Sequence, residues 1–477
     1  MEALQRLHNR GSISTGFDID NSFKVENDNR EYIRWTNFSN YASSARKKKF
    51  SMSLWCKRTE LGRQQIIWST SQNGYLGFDA GDTVVWYQQY GGSQLGIRTN
   101  RVFRDTSAWY HFMIVVDTAQ STEADRVKMY INGVQETSFG TPNTYPSQNA
   151  EASNLYEQHL ILGEWGGGST GFSGYIAEHY FLSEIAASPT DLGEYDDDTG
   201  IWKPKAYGGT ITSPSHFLEF KDGSDLGTAT SGLDGDTMNN LAAADQATDT
   251  PTNNFATINT LQGNSSKLII SNGATKIVKS GNHGWQTTTA NIAVRKGKWY
   301  AEFKLDTSAS LIMVGVNQIE DEGAWNGSHI GAYSNSTARG MGYYSSNGYF
   351  YRNGGSGAIA ATYTAGDIIG IALLINDNLT GFMGMSKNGT WQNSQDPSSG
   401  SSGMLGLEYG NAIADGIHYT FAISTHQDAG GVLANFGGFD GFTVSSGNTD
   451  ANGYGNFEYA VPTGYYALCT KNLEEFA

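Results

Sequence analysis

Charge is scarce in this chain. Of 477 residues only 31 are basic and 47 acidic, and the net charge is −16. An acidic balance excludes the basic footprint with which proteins hold nucleic-acid phosphates. It also argues against an anionic membrane. The one basic cluster, Arg46-Lys47-Lys48-Lys49, is short and reads as a solvated strand edge. Cysteine is nearly absent. Cys56 and Cys469 lie far apart in apolar contexts, so no disulfide framework is expected, and a reducing compartment is the simpler reading. No apolar run approaches the about 18 residues of a membrane-spanning helix. The start, MEALQRLHNRGS, carries no hydrophobic signal core. The nine histidines include no close pair at zinc spacing. No glycine-rich phosphate loop ending in Gly-Lys-Ser/Thr is present, and no GxSxG elbow.

What the chain does have is glycine, 59 residues, against 8 prolines, with 12% aromatic residues. That is the profile of a β-rich protein with many turns and a polar, weakly charged surface. Two stretches show the pattern most clearly. In VKMYINGVQE (127–136), Val127, Met129 and Ile131 alternate with Lys128 and Tyr130 before Asn132-Gly133. GFMGMSKNGTW (381–391) reads the same way. Period-two alternation is a strand with one buried face, and Asn-Gly between two such runs is a strong hairpin signal.

Strand patterns divide the chain. Residues 1–15 read as a short amphipathic helix with Leu4 and Leu7, ended by Gly11. Residues 16–190 form a first β-sandwich, in which AWYHFMIVVD (108–117) is apolar on both faces and therefore central. Residues 191–255 are rich in Asp, Gly, Thr and Asn, and read as an irregular linker interrupted by HFLEF (216–220). Residues 256–477 form a second sandwich with a C-terminal extension. In it GDIIGIALLINDN (366–378) is again apolar on both faces. Beyond residue 10 helix is expected only in short pieces, near 182–188 and 188–195. The expected fold class is all-β: two antiparallel sandwiches joined by an irregular linker, preceded by a short helix.

These residues resemble known families. DTSAWYHFMIVVD, DRVKMYINGVQ, LILGEW and FSGYIAEHYFLS, in that order, resemble the laminin-G-like, concanavalin-A-like lectin fold. GWQTTTANIAVRKGKWYAEFKL, MVGV, GDIIGIALLINDNLTGFMGMSKNGTW, HYTFAIS and LANFGG resemble the SPRY domain, also a concanavalin-like jelly roll. The join (GIWKPKAYGG with DTPTNNFATINTL) and the ending FEYAVPTGYYALCTKNL are similar to a layout found in tailed-bacteriophage virion proteins such as tail fibres and other appendages. The resemblance implies a virion protein, made in the host cytoplasm. It would join other virion proteins through its N-terminal segment, with a homo-oligomer such as a trimer as one arrangement. It would bind a host cell-surface glycan, or a protein, without catalysis. The alternative is a purely structural virion part whose sandwiches bind other virion proteins, and a glycan hydrolase is a third reading.

A glucanase needs two carboxylates flanking the scissile bond. Glu320-Asp321-Glu322 reads as a turn, and Asp18 and Asp20 of FDID share a face without an aromatic cleft, so no catalytic residue is assigned. Asp196-Asp197-Asp198 is oxygen-rich, but calcium wants six to eight converging oxygens. An acidic turn is the expectation, with no metal or other cofactor assigned. For a glycan the candidates are aromatic faces beside polar side chains: Trp165 with Glu164 next to the glycines 166–168, then Trp86, Tyr87 and Tyr90 in VVWYQQYGG, and Trp325 with Asn326 in GAWNGSH. Tyr343 and Tyr344 are candidates to join them.

Overall fold

Strand Lys49–Arg58 shows how local pattern becomes architecture. Phe50, Met52, Leu54 and Cys56 alternate, so the pleat aims all four to one side, and all four are fully buried in one core. The computed structural model describes residues 17–477 except 71–73, 154, 156–159, 167–169, 263–266, 282–283, 308–310, 320–326, 333–339, 408–412, 414–415 and 427–429. The expected helix over residues 1–15 thus lies outside the described residues. The chain divides between Asn253 and Asn254 into two units.

The strands of the first unit are β1 (Ser22–Val25), β2 (Tyr32–Trp35), β3 (Lys49–Arg58), β4 (Gln65–Thr70), β5 (Gly74–Phe78), β6 (Thr83–Tyr90), β7 (Ser93–Val102), β8 (Trp109–Asp117), β9 (Val127–Ile131) and β10 (Val134–Gln135). There follow β11 (Phe139–Asn143), β12 (Leu160–Leu162), β13 (Gly174–Ser183), β14 (Gly193–Tyr195), β15 (Trp202–Pro204), β16 (His216–Leu218), β17 (Ser231–Gly232), β18 (Thr237–Asn239) and β19 (Gln246–Ala247). One sheet runs β10-β9-β8-β3-β13-β1-β19, with β16 and β17 attached beside β13. The other is eight-stranded, in the order β11-β7-β6-β5-β4-β12-β2-β18. Between them lies the core, with Trp35, Trp68 and Trp86 among its largest buried side chains. The turn between β9 and β10 is the expected one: Asn132 and Gly133 both take positive φ, 49° and 77°, as a type I′ turn requires.

Strand β8 explains the rest of this unit. Phe112, Ile114 and Val116 enter the main core. Met113 and Val115 point the other way and must also leave water. They do so against Tyr180, Leu182, Ala187, Leu192 and Phe217. The cover therefore comes partly from beyond residue 190, which differs from the reading of 191–255 as a linker. That stretch is largely irregular, but β16 pairs with β13, β18 with β2 and β19 with β1. Its β14–β15 hairpin carries Trp202, buried to 7% exposure, whose ring closes over Gly133 and Gly193. A buried ion pair, Lys57 Nζ to Asp249 Oδ2 at 2.7 Å, ties the end of the stretch to β3.

In the second unit Ile368–Ile375 is central, flanked by Gly297–Leu305 and Gly381–Lys387. Ile369, Ile371, Leu373 and Ile375 enter the main core. Ala372 and Leu374 pack on Phe255, Phe457, Tyr465 and Cys469, so the C-terminal extension covers the outer face. The facing six-stranded sheet runs from Gln286–Thr289 through Tyr419–Thr425, Ile312–Gln318, Met341–Tyr344 and Tyr349–Arg352 to Gly355–Ala358. The Asn388-Gly389 hairpin has φ of 48° and 77°, the same turn as in the first unit.

Helix placement differs from the sequence reading. Residues 182–188 form no helix, and Arg46, Lys47 and Lys48 of the basic cluster lie in α1 (Ser44–Lys48), where the Ser43 hydroxyl accepts from the Arg46 N–H, while Lys49 opens β3. Near the C-terminal end Tyr466–Ala467 pairs as a short strand with Trp299-Tyr300, and after Cys469 the chain continues into α2 (Thr470–Phe476). Both cysteines are buried and unbridged.

Candidate functional site

The sequence candidates of the first unit fall into three environments. Trp86 faces inward, 1% exposed, stacked on Trp68 at 5.3 Å. It is a core residue, because β6 alternates and its neighbours Val84 and Tyr90 face the same way. Glu164 is also buried. Its Oε1 accepts from Arg30 Nε at 2.9 Å, and its backbone oxygen accepts from the Ser69 hydroxyl. It braces the loop and does not present itself to a ligand. Tyr87 and Trp165 are half-buried on the outer face of the eight-stranded sheet, each beside Tyr75, with ring centroids 5.2 and 5.0 Å apart. Burial pushes the Tyr75 hydroxyl up to about 12. Glycines 167 and 168 lie outside the described residues, as do Trp325, Asn326 and Glu320-Asp321-Glu322.

Tyr90 leads to the third environment, a cleft of about 750 Å³ at the rim of the sandwich. Three pieces of chain build it. The β6–β7 turn supplies Tyr90, Gly91, Gly92, Ser93 and Leu95, and α1 supplies Lys47. Gly91 and Gly92 both take positive φ, which lets β6 and β7 reverse tightly here. The irregular stretch 145–153 forms the far wall with Tyr145, Ser147, Ala150, Glu151, Ala152 and Ser153.

That wall is fastened by backbone. Ser153 N donates to Gln89 O at 2.7 Å, and Ala152 N to Lys47 O at 2.9 Å. Gly91 N donates to the Ser153 hydroxyl at 3.0 Å. Asn149 N and the Thr118 hydroxyl add two more ties. The lining mixes two tyrosine rings, hydroxyls, an amide, one cation and, among the described residues, one carboxylate, Glu151. Beneath it the Tyr90 hydroxyl is buried and makes no hydrogen bond among the described residues. A buried hydroxyl left so costs about 1–3 kcal/mol. Burial also drives its pKa upward.

Sequence reasoning found the aromatic stretch that forms one wall but missed Lys47, Tyr145 and Glu151. Those come from a helix turn and an irregular loop, which carry no periodic signal.

One buried pair has the residue types of a nucleophile and its base. The Ser53 hydroxyl lies 2.7 Å from His111 Nε2. Trp202 Nε1 donates to His111 Nδ1 at 3.0 Å. Nδ1 is then the acceptor, so Nε2 carries the proton and donates it to Ser53. A base must accept at that atom. Both residues are 1% exposed, and burial pulls the imidazole down to about 3. The arrangement fastens the β14–β15 hairpin to the sheet.

Elsewhere, Asp196 Oδ1 accepts from Thr199 N, the Thr199 hydroxyl and Asp198 N, and Oδ2 faces Lys203 at 3.3 Å. This is an acidic turn closed on itself. Asp18 and Asp20 are exposed, one on each side of buried Ile19, and precede β1 without joining its ladder. In the second unit Tyr343 is a core residue packed on Tyr363. Tyr344 lies on the outer face, where Trp285 meets the rings of Tyr344, His329 and His426.

Residues 27–190 match the Concanavalin A-like lectin/glucanases superfamily, in its Laminin_G_3 family. Among solved structures, a human SPRY domain is similar at 15% identity, with a TM-score of 0.26, over 35% of this chain and 94% of that chain. The SPRY domain of human HERC1 is similar at 16% identity and a TM-score of 0.28, over 37% of this chain and 96% of its own. Domain 4 of AbnA, a GH43 extracellular arabinanase from Geobacillus stearothermophilus solved with arabinotriose, is similar at 20% identity and a TM-score of 0.25, over 35% of this chain and 73% of its own. No curated protein matches the chain. The fold class is all-β, with concanavalin-like antiparallel sheets.

Proposed function

We propose that this chain is a noncatalytic saccharide-binding protein that holds its ligand in the rim cleft of the first sandwich. The observation that carries the reading is the cleft itself: its volume of about 750 Å³ falls within the range of small-molecule sites. Its lining suits a sugar. The Tyr145 ring offers an apolar face to C–H groups, while Gln89, Ser93, Ser147, Ser153, Lys47 and Glu151 offer donors and acceptors to hydroxyls. A match to a superfamily of lectins and glucanases supports the ligand class. A single carboxylate among the described lining residues supports binding over hydrolysis, since hydrolysis ordinarily uses two.

The biological setting follows from the sequence layout. The chain is a tailed-bacteriophage virion protein, a tail fibre or other appendage, attached to its particle through residues 1–15 and presenting the cleft to host-surface glycans. The support here is the resemblance of the join and of the C-terminal run, together with an acidic, weakly charged surface.

The test is a glycan array probed with the purified chain and with two variants, Tyr145→Ala and Lys47→Ala, each checked by thermal melting. The wild type should retain defined glycans, and each variant should bind them at least tenfold more weakly with an unchanged melt. A wild type that retains no glycan, or variants that bind as it does, would refute the proposal.

A further inference from the structure

The outer face of the eight-stranded sheet breaks the usual rule for a solvent-facing sheet surface. Alternation should place polar residues there. Instead Tyr87 on β6 and Tyr75 on β5 sit directly opposite each other in the ladder, and Trp165 meets Tyr75 edge-on. All three remain half-exposed. Isolated exposed aromatics are ordinary, but a contiguous group marks a contact surface. The rings are stepped, not coplanar, with Tyr87 tilted 53° and Trp165 69° from Tyr75. Gly96 stands opposite Tyr87 on β7, and a side chain there would collide with the Tyr87 ring.

This surface continues into the rim cleft. Tyr87 and Gln89 point to the same face of β6, separated by two residues, or roughly 7 Å of strand. Gln89 lines the cleft. A ligand leaving the cleft past Gln89 therefore meets Tyr87, then Tyr75, then Trp165, at centroid steps of 5.2 and 5.0 Å. No single sugar ring covers both places.

We infer that the ligand is a polysaccharide chain: one end occupies the cleft, and the following sugars lie across the Tyr87–Tyr75–Trp165 platform. The inference rests on the saccharide reading of the cleft and adds the length of the ligand and a second subsite. Sugar rings bury C–H surface on the aromatic faces, while the polar cleft sets which sugar is accepted.

The experiment uses the full chain and a ladder of mono- to hexasaccharides from glucan, mannan, galactan, arabinan and uronate-containing polymers, with affinities measured for each bound series. Affinity should rise at least tenfold from disaccharide to hexasaccharide. Trp165→Ala and Tyr87→Ala should abolish that rise while disaccharide binding and the melt stay unchanged. Trp165→Phe, which keeps a ring, should preserve part of the rise and covers the case in which the alanine variant fails to fold. Length-independent binding that Tyr145→Ala still abolishes would overturn the inference and leave the cleft reading standing. Equal weakening of disaccharide and hexasaccharide by the platform variants would also overturn it. So would a dimer in sedimentation that Tyr87→Ala dissolves without changing glycan affinity, because the platform would then seat a second copy. A wild type that binds no member of any series refutes the cleft reading and this inference together.

Discussion

Trp202→Ala is the sharpest test of how the first unit is built. Trp202 stands beyond residue 190, in a stretch that looks like a linker by composition. In the structure its ring is 7% exposed, stacks with His111 at 5.9 Å and seals Gly133 and Gly193. Truncating a buried tryptophan costs about 3–5 kcal/mol. The same change removes the Nε1 donor from His111 Nδ1, and an orphaned buried acceptor costs about 1–3 kcal/mol. A loss of about 4 kcal/mol or more is expected, a large part of the 5–15 kcal/mol that ordinarily holds a domain. Trp202→Phe keeps most of the volume and loses the N–H, so it should cost about 1–3 kcal/mol. Urea unfolding of the full chain, followed by fluorescence and circular dichroism, reads both. The transition of the first unit should move to lower urea and that of the second should stay. A chain ended at residue 190 should lack the first transition altogether. A Trp202→Ala loss under about 1 kcal/mol would refute the reasoning and return the 191–255 stretch to the role of a linker.

Leu373→Ala should cost about 2–5 kcal/mol, because Leu373 is fully buried in the core of the second unit on its central strand. The second unit should then unfold first in urea, and a cost under about 1 kcal/mol would make that strand peripheral. The first unit should also lose stability in mild acid. Burial holds His111 and His179 down to about 3, so the folded state stays neutral while the unfolded chain takes up protons below the ordinary histidine pKa of about 6.5. Their contribution is intact above about pH 6.5 and is lost as pH falls toward 3, at up to about 1.4 kcal/mol per pH unit for each histidine. His111→Gln should flatten the melting-versus-pH slope across pH 6.5 to 4, and an unchanged slope would show that His111 does not titrate on unfolding.

Much of this was legible in residue order. Strands and tight hairpins are local: Val127, Met129 and Ile131 alternate whatever lies around them, and Asn132-Gly133 can turn without help from the rest of the chain. Strands such as Trp109–Asp117 and Ile368–Ile375, apolar on both faces, announced that something must cover each side. What covers them was not legible. Leu192 in one unit, Phe457 and Tyr465 in the other, come from stretches with no period, Phe217 comes from HFLEF within a stretch that reads as a linker, and a contact between residues so far apart in sequence leaves no local mark. The same limit governed the site. Composition offered Trp86, Tyr87 and Tyr90 as equals, and only the packing of two sheets turned Trp86 inward, left Tyr87 outside and set Tyr90 under a cleft. Lys47 and Tyr145 became its walls because the folded chain brings a helix turn and an irregular loop to one rim. Alternation along a strand is a property of the chain itself. Which face meets the core, and which distant segment closes over the other, is decided by burial, which exists only once the whole unit has formed.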